Sequence, residues 1–240
     1  MRYFYSAIQK WIEFSYRKKK GVKIYMFHIV EENIQCVDDK TIAITKSGFE
    51  DFIESLILKG CTFLSLNQLN DLKDDQIHDK QVVLTFDDIF ECVINEGFPY
   101  LDRKGIPYAV FVCQNYVGGK YFLKESQLKE LIGNPLCTVC FHTKNHCLMR
   151  GLPTYKMMEE IDCQEFNEKF GIQIKFFAFP YGSIYAVTRG SKKIACEKYQ
   201  LVFSTICSEW SVEFKKKHGN YIPRINVNEF NYKNFLAKIR

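Results

Sequence analysis

The chain alternates between short runs of β-branched and aromatic residues and longer segments whose apolar residues recur at helical spacing. Residues 22–30 (VKIYMFHIV) read as a buried strand. After Ser47, the positions Phe49, Phe52, Ile53, Leu56 and Ile57 fall on one helical face, and Gly60 supplies the stop. A strand at 62–65 and a helix from about Asn67 follow. Residues 81–86 (QVVLTF) form another apolar run that ends abruptly at Asp87-Asp88. The pattern then predicts a helix over 92–104 closed by Gly105, with Pro107 opening a strand over 108–113. Helix 126–132 precedes strand 136–141, helix 154–169 precedes strand 174–179, and helix 188–198 precedes strand 200–206. A last strand lies near 221–227. Such alternation implies a parallel sheet wrapped by helices, with chemistry at the carboxyl ends of the strands.

Composition narrows the class. At 240 residues, with 47% hydrophobic and 15% aromatic residues, the chain buries a real core and is not disordered. No linker divides it, so residues 21–240 read as one domain preceded by a basic, amphipathic segment over 1–20. The net charge of +5 sits largely in Arg17-Lys18-Lys19-Lys20 and Lys215-Lys216-Lys217, runs expected to be solvated. No basic stripe interleaved with aromatics extends along the chain, which argues against a nucleic-acid partner. Ten cysteines would suggest a disulfide framework in a small secreted protein. Here the chain is large, and Gln9, Lys10 and Glu13 interrupt any apolar leader. The expectation is therefore reduced cysteines in a cytoplasmic protein. Residues 1–20 admit two readings: an interfacial helix on an anionic membrane, or a helix packed on the domain.

Three segments carry chemistry. In Thr85-Phe86-Asp87-Asp88, two carboxylates at a strand end should point in different directions, so that one can bind a metal while the other stays free as a base. A helix N-cap is the alternative. His142-Thr143-Lys144-Asn145-His146 presents two imidazoles four residues apart, and with Asp88 these make a ligand set that leaves coordination positions open. Phe177-Ala178-Phe179-Pro180-Tyr181-Gly182 ends a strand in a tight turn. Cys137 and Cys140 stand too close to His142 and His146 to close with them around one ion, although Cys140 shares a strand face with His142. His78 and His218 read as surface residues; His28, ending an apolar strand, reads as buried.

These segments, in this order, resemble the polysaccharide deacetylase family with the NodB homology domain (carbohydrate esterase family 4). The resemblance rests on Thr85-Phe86-Asp87-Asp88, on His142 to His146 and on Phe177 to Gly182. It is extended by Tyr25 to Val30, residues 49–69 and 97–112, and Tyr221-Ile222-Pro223-Arg224-Ile225. It implies a deformed (β/α) barrel with seven or eight mostly parallel strands. It also implies that Asp88, His142 and His146 hold one divalent metal, zinc before cobalt, nickel or manganese, and that Asp87 is the general base for the attacking water. The Tyr181 N–H would stabilise the oxyanion, with Pro180 and Thr143 beside the substrate. No late histidine motif is present. By similarity to the permuted branch of poly-N-acetylglucosamine deacetylases, His28 becomes the general acid, with His218 second, and Arg224 orients Asp87. The sequence departs from the family where Ile89 replaces a small residue, which should crowd the site, at Cys140-Phe141, and at Phe179. The implied reaction removes an N-acetyl group from a saccharide, with a nucleotide- or lipid-linked glycan expected. Deformylation or O-deacetylation of a lipid-linked sugar, and non-catalytic carbohydrate binding on the same fold, are the rivals.

Overall fold

The computed structural model describes residues 7–11, 13 and 20–237. Its strands are β1 (Lys23–Phe27), β2 (Ile29–Glu31), β3 (Ala43–Thr45), β4 (Thr62–Phe63), β5 (Gln81–Asp87) and β6 (Tyr108–Val112). There follow β7 (Cys137–Phe141), β8 (Phe176–Ala178), β9 (Leu201–Phe203), β10 (Tyr221–Ile222) and β11 (Ile225–Asn226). Its α-helices are α1 (Lys46–Leu58), α2 (Leu66–Asp71), α3 (Phe98–Lys104), α4 (Glu125–Gly133) and α5 (Thr154–Ile161). They continue as α6 (Gln164–Phe170), α7 (Arg189–Lys198), α8 (Val212–His218) and α9 (Tyr232–Leu236), and residues 7–11 are also helical.

Hydrogen-bonded neighbours run β10-β9-β8-β7-β6-β5-β1-β11, with β4 added on β5, and every one of these pairings is parallel. The two ends of this path, β10 and β11, are successive pieces of one segment joined by Pro223 and Arg224. The sheet therefore curls into a barrel closed by its own chain, as expected. All seven residues of β5 are buried, which explains its unbroken apolar run: a parallel strand covered on both faces has no polar side to show. Helix α1 starts one turn earlier than its apolar pattern suggests, because Thr45 caps it by accepting from the Gly48 N–H. Its inner face packs Phe52 edge-on against Tyr25 and Phe49 edge-on against Phe27, at ring separations of 4.9 and 5.2 Å.

Several expected elements are interrupted, and the interruptions matter. The strand over 22–30 breaks at His28, which leaves the sheet and turns toward the barrel mouth. The strand over 221–227 breaks at Pro223-Arg224, and the helix over 154–169 becomes α5 and α6. Strand β3, which pairs with β2 in a separate two-stranded sheet, and helices α8 and α9 have no counterpart in the apolar pattern. Lys215 to Lys217 lie on α8, whose Phe214 is buried. His218, expected at the surface, is half-buried at its end. All ten cysteines are free thiols. Of residues 1–20, the described part packs on the domain: Gln9 Oε1 accepts from the Ile184 N–H at 3.2 Å and Glu13 Oε1 from the Cys207 N–H at 3.1 Å. Arg17, Lys18 and Lys19 lie outside the described residues. Among those residues no helix is long and apolar enough to cross a membrane.

Candidate metal centre

The cleft at the carboxyl end of the barrel has a volume of about 310 Å³ and brings together Asp87, Asp88, His142, His146, His28 and Tyr181. It is built by strand ends that leave regular geometry. Among the described residues, five non-glycine ones have positive φ, namely Asp88 (64°), Ile89 (52°), Thr143 (69°), His146 (55°) and Tyr181 (61°), and all belong to the three segments singled out above or adjoin them. Such conformations cost on the order of 1–3 kcal/mol each and persist where surrounding structure enforces them.

At the end of β5, the reversal at Asp88 cancels the expected strand alternation. Both carboxylates face the cleft: Asp87 Oδ2 lies 3.9 Å and Asp88 Oδ1 3.7 Å from His142 Nε2. The helix-cap alternative fails, because Phe90 bridges to Phe122 before any helical turn begins. Asp88 Oδ1 also lies 3.2 Å from His146 Nε2, and one donor atom each from Asp88, His142 and His146 fall within 4.8 Å of one another. Two ligands bonded to one ion at ~2.1 Å in tetrahedral array stand roughly 3.4 Å apart, so these separations suit a shared cation. Asp88 Oδ1 is buried with no hydrogen-bond partner among the described residues, an orphaned acceptor that a cation would satisfy. Burial pushes its carboxyl up to about 6.

The ring of His142 is fixed by its other nitrogen. Nδ1 lies 2.8 Å from the Ala178 carbonyl, which can only accept, so Nδ1 carries the proton and the Nε2 lone pair faces the carboxylates. Burial first of all lowers His142 to about 3, keeping it neutral at pH 7. The ring of His146 stacks on Tyr116 at 5.6 Å and meets Tyr181 edge-on at 5.0 Å. Its turn is tied by Thr143, whose hydroxyl accepts from the His146 N–H at 3.0 Å. The turn is also tied from outside. Buried Glu160, on α5, accepts from the Asn145 N–H at 2.9 Å and the Asn145 side chain at 2.6 Å.

Asp87 is held differently. Arg224 donates two parallel hydrogen bonds to it at 2.7 Å, and both residues are buried. Burial works to raise the Asp87 carboxyl, but the Arg224 charge and its paired hydrogen bonds outweigh it and hold the group at about 2. Arg224 is steadied by the Ser204 carbonyl at 3.0 Å and by the Phe111 and Phe203 rings at 5.2 and 5.9 Å.

Of the other expected site residues, His28 lines the cleft with a buried, unpartnered Nδ1. Tyr181 is exposed at the rim, and among the described residues no oxygen accepts from its N–H. Pro180 is buried behind it, and the buried Thr143 side chain supports the turn; neither lines the cleft. His218 lies elsewhere, in a cavity between α7 and α8. Ile89 does not crowd the site: its side chain is buried in the core. Cys140 is buried below His142 and is outside the ligand group. Sequence reasoning missed Tyr116, Glu160, Asp39, Thr205 and Asn226. Only Asn145, between the two histidines, hinted that a partner would be needed.

The chain is similar to known proteins in sequence and in fold. Residues 74–195, half of the chain, match the model of the family described as polysaccharide deacetylase. YxkH of Bacillus subtilis (strain 168), whose name places it among polysaccharide deacetylases, is 24% identical over 169 residues, covering 69% of this chain and 58% of the relative. The chain thus matches little more than half the length of that relative. The poly-beta-1,6-N-acetyl-D-glucosamine N-deacetylase of Staphylococcus aureus (strain MSSA476) is 24% identical over 215 residues, covering 83% of this chain and 72% of that protein. In fold, IcaB from Ammonifex degensii superposes with a TM-score of 0.77 at 23% identity, over 92% of this chain and 97% of that one.

Proposed function

The chain belongs to the polysaccharide deacetylase family, and from that premise we propose that its cleft hydrolyses the N-acetyl amide of a sugar with the help of one divalent metal ion. The observation that carries this reading is the convergence of Asp88, His142 and His146 beside a separately clamped Asp87. Two imidazole nitrogens and one carboxylate suit zinc best, with cobalt, nickel and manganese also compatible. Held there, the ion would supply Lewis-acid activation of water and of the acyl oxygen.

The protein's own groups do the rest. Asp87 stays ionised because Arg224 pairs with it, and its fixed orientation suits it to take the proton of an attacking water. A carboxylate held this low is a weak base, so it depends on water acidified by the ion. The Tyr181 N–H, which no oxygen of the described residues accepts, is free to meet developing charge on the acyl oxygen. His28 provides the proton for the departing amine: it lines the same cleft, and its buried Nδ1 has no other partner. Thr143 holds the turn that presents His146, and Pro180 the turn that presents Tyr181. Product acetate leaves behind a free amine. The relatives' names make N-acetylated β-1,6-glucosamine oligomers the first substrate to try. The test is an acetate-release assay on those oligomers, paired with metal analysis of the purified chain. Metal bound in about equal amount to protein, with turnover abolished by chelation and restored by zinc or cobalt, is the expected outcome. Release of formate, or of acetate only from esters, would reassign the acyl group.

A further inference from the structure

Beyond the metal ligands and the clamped Asp87, the cleft holds a polar atom that the fold does not use. Asn226 lies on β11, where its register partner is Met26 of β1. Register partners in a sheet project from the same face, so Asn226 stands beside Met26 in the barrel mouth, and both line the metal cleft. His28, two positions beyond Met26, lines it from the same wall.

Asn226 is fixed at its backbone and at one end of its side chain. The Asn231 side chain donates to its carbonyl at 3.0 Å, and its own Nδ2 donates to the Thr41 carbonyl at 3.2 Å. A carbonyl can only accept, so the side-chain amide is oriented with Nδ2 toward Thr41 and Oδ1 away from it. That Oδ1 is buried and has no hydrogen-bond partner among the described residues. An unpaired buried acceptor is costly, and a donor brought by a ligand removes the cost.

The neighbouring groups indicate which donor. Asp87 is taken up by Arg224, and Asp88 belongs to the metal-ligand group. His28, the group that protonates the departing amine, also has a buried Nδ1 without a partner, so the scissile nitrogen has to come to this wall. When the C–N bond breaks, the nitrogen keeps the electron pair and its own hydrogen, takes one proton from His28 and leaves as a neutral amine. Its N–H points away from the lone pair that receives the proton. A proton donor and an acceptor side by side therefore suit one amide nitrogen. An ester presents only lone pairs at the same position and would leave Oδ1 unpaired against a second acceptor, the situation in which hydrogen-bonding sites discriminate most strongly.

We propose that Asn226 makes the cleft selective for amides over esters, its Oδ1 accepting the N–H of the substrate's acetamido group while His28 serves the same nitrogen. This assignment rests on the deacetylase reading of the cleft.

Two matched trimers test it: β-1,6-linked N-acetylglucosamine, and the analogue built from 2-O-acetylglucose, in which oxygen replaces the N–H. In zinc-loaded Asn226→Ala the amide-to-ester ratio of kcat/KM should fall about tenfold or more. The Thr41 carbonyl still accepts from the Asn228 side chain at 2.7 Å, so the variant keeps that anchor. Asn226→Leu, closer in volume, should behave alike, and a ratio taken on one preparation does not depend on how much of it is folded. Calorimetric titration in an Asp87→Asn background reads binding without turnover. There the amide should bind about tenfold more tightly than the ester, and adding Asn226→Ala should abolish the preference. A preference abolished in this way, with no acetate released by the parent, would uphold the role of Asn226 and refute hydrolysis. Acetate release whose amide-to-ester ratio is unmoved by Asn226→Ala would leave hydrolysis standing and overturn the proposal. Equal binding of the two trimers overturns it as well, as does an equal loss with both, which would set a sugar hydroxyl against Oδ1.

Discussion

In the proposed mechanism Asp87 and Arg224 form the pair on which turnover most directly depends, and each variant of it separates a different contribution. Asp87→Asn keeps the shape but removes the proton acceptor. Turnover should fall by about 10²–10⁴-fold while metal content stays at the parent value, because the ligands Asp88, His142 and His146 are untouched. Normal turnover in this variant would remove Asp87 from the mechanism. Arg224→Lys keeps the charge but cannot donate the paired 2.7 Å bonds, so it should lower kcat more than it raises KM. Ile89 poses a different question, since two effects oppose each other there. Its φ of 52° is unfavourable for a β-branched residue, and glycine would relieve roughly 1–2 kcal/mol. Its side chain is fully buried, and removing it costs more, about 2–5 kcal/mol with the cavity left behind. Ile89→Gly should therefore lower the melting temperature, measured by calorimetry, and a rise would show that strain dominates. The candidate ligands were legible in the sequence, because two histidines and a carboxylate after apolar strands are unusual enough to stand out. Tyr116, Glu160 and Asn226 were not: they are common residue types whose role comes only from contacts distant in the chain.

At the scale of elements, each functional side chain stands where a regular element stops, and this is the part of the structure that apolar periodicity could not supply. The pattern located strands 81–86, 108–113 and 136–141 well: the first two are buried on both faces, which dictates their composition, and the third buries its last residues, Cys140 and Phe141. It ran straight through His28 and through Pro223-Arg224. A local break dictated by tertiary contacts leaves the apolar content unchanged, so nothing in the pattern marked it. The turn over residues 142–146 shows what such breaks require. Its positive φ values at Thr143 and His146 are held partly from inside, by the Thr143 hydroxyl, and partly from α5, by Glu160. Glu160 touches neither ligand, so it acts by positioning. Glu160→Ala leaves the Asn145 N–H without its acceptor and should weaken apparent zinc affinity about 10–100-fold, the range for supporting contacts around metal ligands. Competition with a chelating dye measures it. Glu160→Gln keeps one acceptor and should fall between, and kcat at saturating metal should change less than affinity in both. An alanine variant that binds zinc as tightly as the parent would show that the turn holds itself.

For the whole molecule, the question is how far the fold depends on the ion. The barrel is closed by its own chain, and its core of buried aromatic and aliphatic side chains runs from β1 to β10. A core of this size supports folding without metal, unlike a small zinc module that is unfolded in its absence. Chelation should therefore lower stability without unfolding the protein. With ion at about 100 times its dissociation constant, binding contributes about 2.7 kcal/mol, which for a chain of this length corresponds to a shift of roughly 5–10 °C. The centre also costs stability when empty, because Asp88 Oδ1 is buried without a partner and its carboxylate is disfavoured there. Asp88→Asn replaces that charge by a neutral group of the same shape. The chelated variant should thus melt at or above the chelated parent, yet gain nothing when zinc is added and release no acetate. Stability and function would then oppose each other at a single atom, as expected where a site is built for a ligand rather than for the fold. Calorimetry on the two proteins, each with chelator and with zinc, gives the four melting temperatures needed. A variant that still gains several degrees with zinc would place the ion's ligands elsewhere.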